Sequence, residues 1–249
     1  MSAYTEQASI KCSPWRAIQS VTESPNWPMN LLWLSLAVLL QQFIVGTIFT
    51  FGYGAEILQS RAGLPGRSNP DIEPNRISDT FMRGLWPFLV YMVSAVVIGL
   101  VVMIPLLIIM AIVMFLAAGG RFAVVGIVGI LLPFAIIANL VMVIFLAPIC
   151  IRSMICQDFQ NSFDVDWIKS FISLMYRDVL ASSIVFALIS IPIFILGMLM
   201  FCIGIYPAMG LLTAAAFNLM SQWYELFLAR GGQPVEPGGN AIVDATLVN

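Results

Sequence analysis

The sequence predicts an all-helical protein that crosses a membrane several times. Of its 249 residues, 60% are hydrophobic and only 10% are charged, and the mean hydropathy is +0.96. A typical soluble domain is about 45–50% apolar and about 25% charged, so this chain has too few charged residues to cover a soluble surface. Its apolar residues form long continuous runs without alternation, which favours helices over a closed barrel.

The composition excludes much of enzyme chemistry. The chain has no histidine, so a Ser-His-Asp triad, a Cys-His pair and a His-ligated metal are impossible. Its four cysteines, at 12, 150, 156 and 202, form no C-x-x-C pair. The net charge of -2 and the lack of a Lys/Arg-rich run give no sign of nucleic-acid binding. We therefore expect no catalytic residue, no cofactor, no metal and no enzymatic activity.

The N-terminal part of the chain combines a polar segment with an ambiguous apolar one. Residues 1–28 are mostly polar and carry charges before any long apolar run, so they predict a cytoplasmic segment rather than a secretory signal. The first apolar segment, about 29–51, is long enough to span once. However, Gln41 and Gln42 lie near its middle, where their amides would need partners in lipid. The alternative is a re-entrant hairpin that turns at these glutamines.

Four further apolar segments predict full spans within a membrane domain at 29–228. A hydrocarbon core about 30 Å thick needs about 20 helical residues, and each segment has at least that number. The first of them is long enough to require a tilt or a kink, for which Pro105 is the candidate. Residues 229–249 are rich in Gly, Pro and small polar residues and predict a flexible tail. The four segments lie at about 85–118, 122–150, 179–201 and 205–228.

The distribution of positive charge indicates the orientation, because cytoplasmic loops collect Lys and Arg. If the first segment spans, eight cations lie on one side and three on the other. If it is re-entrant, ten of the eleven share one side and only Arg121 lies opposite. Both arrangements place the 52–84 and 151–178 segments and the C-terminus in the cytoplasm, and the second arrangement favours the hairpin.

A cytoplasmic amphipathic helix is predicted between the second and third of these four spans. Five large apolar residues recur there at steps of four, with Asp164 or Asp166 as the candidate N-cap. We interpret this helix as a connector packed on the bundle, with a partner-docking or lipid-sensing element as the alternative. The five residues are Phe159, Phe163, Trp167, Phe171 and Met175.

Polar residues inside the apolar segments are the only candidates for a functional role in the membrane. Asn139, Asn218 and Gln222, together with Gln41 and Gln42, are expected to form interhelical hydrogen bonds. Alternatively, the first three line a path for a small neutral solute. No charge lies deep in the long segments, which disfavours coupled transport. We expect a non-enzymatic structural or interaction protein, with a passive channel or permease as the alternative. Its expected partner is the lipid bilayer, with a protein at the cytoplasmic face as a further candidate.

Short motifs resemble those of a known family. Gly52-Tyr53 is followed by Arg61, Leu64-Pro65 and then Asp79…Gly84, and Asp158-Phe159…Phe163 comes later. This arrangement, over about residues 15–230, resembles the prokaryotic integral membrane proteins catalogued as domain of unknown function 4013. The stretch PDIEPNRISDTFMRGLWPFLV is especially similar to planctomycete-type members. The resemblance implies a bacterial cytoplasmic membrane setting and no particular activity.

Overall fold

A computed structural model of the chain describes residues 12–63, 69–117, 123–200 and 203–238. These residues form helices and contain no strand, which confirms the predicted all-helical fold. Three short 3-10 helices, Leu40–Phe43, Pro74–Arg76 and Asn161–Phe163, lie between longer elements. The α-helices of the described residues are α1 (Pro14–Thr22), α2 (Trp27–Leu39), α3 (Val45–Gly63), α4 (Ile77–Ala117), α5 (Ala123–Cys156), α6 (Val165–Leu199) and α7 (Ile205–Ala229).

Three of these helices contain stretches long and apolar enough to cross a membrane. Within the described residues, the stretches are Pro74–Ile109 on α4, Ala135–Cys156 on α5 and Val165–Leu199 on α6. Most of their apolar surface is exposed, as expected of helices that face lipid. The fourth predicted span corresponds to α7, which is not among the three and has a largely buried C-terminal half. The boundary between the first two predicted full spans, at residues 119–121, lies outside the described residues.

The first apolar segment is not one straight helix. It begins on α2, passes through the 3-10 helix that contains Gln41 and Gln42, and continues on α3 after Ile44. Ile44 has a φ of 64°, a left-handed value that β-branched residues rarely adopt, so the chain changes direction there. A Cβ atom on Gly46 would lie 2.0 Å from the carbonyl oxygen of Ala37, so only glycine permits this close return.

The two ends of this α2–α3 hairpin meet. Ser24 Oγ donates a hydrogen bond of 2.7 Å to Asp71 Oδ1, and Asn69 Nδ2 donates one of 3.3 Å to the carbonyl of Ser20. The backbone N–H of Ile72 donates to Asn30 Oδ1 at 2.8 Å. The segment before α2 and the segment after α3 therefore lie side by side at one end of the molecule.

The helix α7 forms the centre of the bundle and contacts α1, α2, α3 and α6. Ala214 is fully buried, and Gly210 lies against Leu34 and Ser35 of α2, so the small residues on α7 pack inside the chain. A Cβ atom on Gly54 of α3 would lie 2.6 Å from the ring of Phe217, which explains how α3 approaches α7 so closely.

The prediction of a separate amphipathic helix is wrong. Its sequence forms the first turns of α6, which continues without interruption from Val165 to Leu199. Asp164, not Asp166, is the N-cap, and its carboxylate accepts hydrogen bonds from the backbone N–H groups of residues 166 and 167. Trp167, Phe171 and Met175 are buried as the periodicity predicts, whereas Phe159 and Phe163 precede the helix.

The prediction of a flexible tail also fails for residues 231–238, which lie against the bundle. Trp167 Nε1 donates a hydrogen bond to the carbonyl of Gln233, and the backbone N–H of Val235 donates to the Tyr224 hydroxyl, each at 2.9 Å. The N–H of Gly238 donates to the carbonyl of Ile155 at 3.3 Å. The composition does not indicate this docking, and residues 239–249 lie outside the described part.

Candidate functional site: a buried polar cluster around Arg61

A row of polar side chains lies on one face of α7. Asn218, Ser221 and Gln222 are separated by three and four positions, the spacing that places residues on one side of a helix. All three are buried, with Asn218 fully inaccessible to solvent. In an apolar bundle such side chains need hydrogen-bond partners, and α3 and the N-cap and first turn of α1 provide them.

Arg61 supplies the charged centre of this cluster. It lies in the last turn of α3 and only 8% of it is exposed. Its Nη1 donates a hydrogen bond of 3.1 Å to Ser221 Oγ, and its Nη2 donates one of 3.0 Å to Asn69 Oδ1. The guanidinium therefore joins α3 to α7 and to the segment that leads into α4.

The acceptors of Arg61 are neutral, which is unusual for a buried cation. Within the described residues, the ion pairs join Arg83 to Glu56, Arg152 to Asp164 and Arg230 to Asp178. Arg61 thus has no carboxylate partner in that part of the chain. Buried charges are normally paired because desolvation is costly. Hydrogen bonds hold Arg61 in place, and the charges of Glu225 and Glu23 favour its cationic form from beyond ion-pair distance.

The short helix α1 closes the polar row on α7. Gln222 Oε1 accepts a hydrogen bond of 2.8 Å from the backbone N–H of Ser13, and Asn218 Nδ2 donates one of 3.4 Å to the carbonyl of Ala17. Ser13 is also the N-cap of α1, since its Oγ accepts from the N–H of Arg16. The start of α1 is consequently fixed on the cluster.

Three atoms of the cluster remain without a hydrogen-bond partner among the described residues. They are Arg61 Nε, Asn218 Oδ1 and Gln222 Nε2, and each is buried. A buried polar atom without a partner costs about 1–3 kcal/mol. The three atoms without partners therefore lower the stability of the fold. The side chains of the cluster also donate and accept hydrogen bonds that join α1, α3 and α7, and these hydrogen bonds fix how the three helices pack together.

The predicted polar positions do not form one site. Asn218 and Gln222 belong to the cluster, and Asn218 faces α1 as an interhelical contact. Gln41 and Gln42 lie at the tip of the α2–α3 hairpin, and Gln42 is exposed. Asn139 is exposed on α5 and makes no side-chain hydrogen bond to another described helix, so its expected interhelical contact stays a prediction.

Sequence reasoning missed α1 and the burial of Arg61. A signal for α1 exists: Ser13-Pro14 is a typical helix start, and Ala17, Ile18 and Val21 follow at helical spacing. They form the buried face of α1 together with Pro14. Arg61 belongs to the motif that carries the family resemblance, but no local pattern predicts its burial, because that burial results from the packing of α3 on α7.

A second close contact joins α3 to α4. A Cβ atom on Gly52 would lie 1.8 Å from the carbonyl oxygen of Thr80, and one on Gly84 would lie 1.8 Å from that of Ile48. The two backbones therefore touch at this crossing. Beside it, the buried carboxylate of Glu56 accepts a hydrogen bond of 2.8 Å from Thr80 Oγ1 and lies 3.8 Å from Arg83 Nη1.

The fold and the cluster define a helical protein with a hydrogen-bonded polar core, and three of its described helices are long and apolar enough to cross a membrane. The chain belongs to the family described as protein of unknown function (DUF4013), whose profile matches residues 35–205, more than half of the chain. This match confirms the resemblance drawn from the motifs. The matched range includes the α3–α4 crossing and Arg61. Neither the curated proteins nor the solved structures contain a match to this chain.

Proposed function

We propose that this protein is a non-enzymatic structural or interaction protein of the bacterial cytoplasmic membrane. In this proposal α4, α5, α6 and α7 span the bilayer, α2 and α3 form a re-entrant hairpin, and both termini lie in the cytoplasm. One observation carries the proposal: the polar groups on α7 are used to fix α1 and α3 in place. They are covered by other helices of the chain and do not line a path across the membrane.

The length of the hairpin supports its re-entrant character. Helix α2 has 13 residues, which extend about 20 Å at 1.5 Å per residue. The hydrocarbon core is about 30 Å thick, so α2 is too short to reach the opposite face. Because the segments flanking the hairpin are hydrogen-bonded to each other, the chain enters and leaves on the same side.

The positions of the cations support a cytoplasmic assignment for that side. Of the eight Lys and Arg residues of the described part, seven lie on α1 or near a helix end, and Arg177 lies 12 positions into α6. Contacts in this region include the hydrogen bond from Gln59 Nε2 to the carbonyl of Met154 and the ion pair between Arg230 and Asp178. Such a concentration of positive charge on one face is typical of the cytoplasmic side.

The alternative of a passive permease receives little support from the geometry. A path for a small neutral solute would need Asn139, Asn218 and Gln222 to face a common space. Instead, Asn218 and Gln222 are covered by α1, and Asn139 is exposed on the outer surface of α5. The three side chains therefore do not face a common space: two lie inside the bundle and one lies on its surface.

The cytoplasmic end offers surface for an interaction. Trp15 on α1 is 57% exposed, and Phe159 in the turn before α6 is 36% exposed. Exposed aromatic residues at the edge of a membrane domain suit headgroup contact or a protein partner. We favour the protein partner for Phe159, because Phe159 lies within the proposed cytoplasmic loop, between Asp158 and Asn161.

Site-specific photo-crosslinking in cells tests this proposal. A photoreactive amino acid at Phe159 is expected to give discrete protein adducts, whereas the same group at Leu188, exposed on the apolar half of α6, is expected to give lipid adducts. The purified protein in liposomes is expected to pass no small solute. Solute flux that Asn218→Leu abolishes, with no adduct at Phe159, would contradict the structural role and support the permease.

A further inference from the structure

Asn139 is an exposed amide on a helix that otherwise presents an apolar surface. It lies within the stretch Ala135–Cys156, which is apolar enough to span a membrane. Ile136, three positions before it and hence on the same side of α5, is 54% exposed. Among the described residues, no other helix provides a hydrogen-bond partner for this amide.

Its depth makes the exposure costly. Asn139 precedes Arg152, the nearest charged residue on α5, by 13 positions, which correspond to about 20 Å along a helix. With Arg152 near the cytoplasmic surface, as the proposed function places it, Asn139 lies well inside the hydrocarbon core. An amide there without a hydrogen-bond partner is strongly disfavoured.

The face that carries Asn139 has the spacing of a helix–helix contact. Gly129, Pro133 and Ile136 precede it at steps of three or four, and all three are exposed. A Cβ atom added to Gly129 would meet nothing within 4 Å. Steps of three and four place the residues on one stripe, and a small residue in such a stripe lets a second helix approach closely.

A second copy of this chain fits the stripe better than another polar membrane protein. Copies inserted in the same orientation are related by a twofold axis along the membrane normal, so Asn139 of each lies at the same depth. A carboxamide has both a donor and an acceptor and is complementary to itself. Two facing asparagines satisfy each other without any further polar group.

We infer that two copies of the chain associate through α5, with their Asn139 side chains hydrogen-bonded to each other at the centre of the contact. This inference rests on the membrane-spanning assignment of α5 in the proposed function. The contact is a parallel helix pair in which Ile136 flanks the amide and Gly129 allows close approach nearer the other end.

Cysteine crosslinking in native membranes tests the contact. Upon mild oxidation, Asn139→Cys and Ile136→Cys are expected to give disulfide-linked dimers in excess of the wild-type background. Leu188→Cys is the matched control, because Leu188 is 62% exposed on the apolar surface of α6. Equal crosslinking at positions 139 and 188, or none at 139, would overturn the inference.

A second measurement tests whether the Asn139 amide itself contributes to association, and not only whether the two α5 helices lie close together. In dilute liposomes, Asn139→Leu is expected to weaken dimer formation, measured by single-molecule photobleaching, by about three- to thirtyfold. Asn139→Gln retains the amide and is expected to restore most of the association. Undiminished dimers for Asn139→Leu, with an unchanged melting temperature, would contradict the role of the amide.

The failure of the inference is distinguishable from the failure of the proposed function. In the Asn139→Cys variant, a membrane-impermeant maleimide added from either side is expected not to react with the introduced thiol. Rapid labelling would show that this part of α5 is not in the bilayer and would defeat the span assignment. Protection from labelling in a protein that remains monomeric would defeat the association alone.

Discussion

At the scale of single residues, Arg61 shows how a membrane-type bundle fixes its interior with one cation. Its guanidinium binds a serine hydroxyl on α7 and an amide oxygen in the loop before α4. Hydrogen bonds to a charged group contribute more to stability than neutral ones, about 1.5–3 kcal/mol each. Two such bonds offset part of the cost of burying the charge, and they are directional, so they set the rotation of α3 against α7.

Replacing Arg61 should therefore destabilise the protein markedly. Arg61→Ala leaves the Asn69 amide oxygen without its donor and removes a buried side chain, and we expect a loss of about 2–4 kcal/mol. The measurement is thermal unfolding in mild detergent, followed by tryptophan fluorescence. Arg177→Ala is the control, because Arg177 is exposed and its side-chain hydrogen bond goes to the adjacent Tyr176. Equal melting temperatures for the two variants would show that the Arg61 contacts contribute nothing.

The carboxylate of Asp71 makes the docking of the N-terminal segment depend on pH. Burial raises its pKa, but hydrogen bonds from Ser24, Asn26 and Asn30 outweigh this effect and lower the pKa below the ordinary value of 3.8. A lowered pKa in the folded state means that the ionised form stabilises folding. This stabilisation is complete above pH 3.8 and is lost as the pH falls through the lower folded value.

Asp71→Asn tests that dependence. At pH 6 the variant should melt a few degrees below the wild type, since Asp71 is exposed and its contribution is modest. As the pH falls below 3.8, the difference should shrink, because the wild type loses the same charge. The readout is the melting temperature of both proteins across the pH range. A difference that grows in acid would contradict the predicted sign.

At the scale of helices, the glycine crossing determines how α3 and α4 pair. Gly52 and Gly84 each face a backbone carbonyl of the other helix. Glycine in a helix costs about 1 kcal/mol relative to alanine. These two glycines therefore lower the stability of each helix but allow the backbones of α3 and α4 to approach closely. The gain is a tight contact that places Glu56 beside Thr80 in the buried interface.

Alanine at the crossing should push the two helices apart. In Gly84→Ala, the new methyl group would lie 1.8 Å from the carbonyl oxygen of Ile48, and backbone cannot move aside as a flexible side chain can. We expect a loss of about 2 kcal/mol or more, as for other overpacked sites. The measurement is the melting temperature in detergent.

Gly99→Ala provides the matched control on the same helix. A Cβ atom there meets nothing within 4 Å, so only the higher helix propensity of alanine acts and stability should stay equal or rise by up to about 1 kcal/mol. If Gly84→Ala and Gly99→Ala changed the melting temperature alike, the close crossing would not be a determinant of the fold.

For the whole molecule, the sequence predicted what depends on composition and missed what depends on tertiary packing. The apolar runs located the long helices, and Gln41 and Gln42 lie in the 3-10 helix that separates α2 from α3. The spacing of Trp167, Phe171 and Met175 predicted their shared buried face. That spacing could not show that the same helix continues to Leu199, because an in-plane helix and the first turns of a long helix have the same period.

The candidate site was predictable only in part, for a physical reason. Asn218 and Gln222 stand out because an amide in an apolar segment needs a partner. The partners themselves, Ser13 and Ala17, use backbone groups, which every residue carries and no sequence pattern distinguishes. Likewise, the docking of residues 233–238 relies on backbone hydrogen bonds and on one buried valine.

The topology of the whole molecule gives the last prediction. If α2 and α3 form a re-entrant hairpin, the N-terminus and the 69–76 segment share one face, as the hydrogen bond between Ser24 and Asp71 requires. A tag at residue 8 and a single cysteine introduced by Glu73→Cys should then both be accessible from the cytoplasm. In intact cells, neither should react with an impermeant reagent added outside, and in inverted membrane vesicles both should react.

Two outcomes would decide against this arrangement, and they differ in meaning. Labelling of residue 8 from outside, with Glu73→Cys labelled only from inside, would mean that the first segment crosses the membrane and that the contact between its ends does not form. Labelling of both from outside would keep the hairpin but invert the protein. The inverted orientation would place the cations of α1, α6 and the C-terminal segment outside. This would contradict the usual excess of Lys and Arg on the cytoplasmic side of membrane proteins.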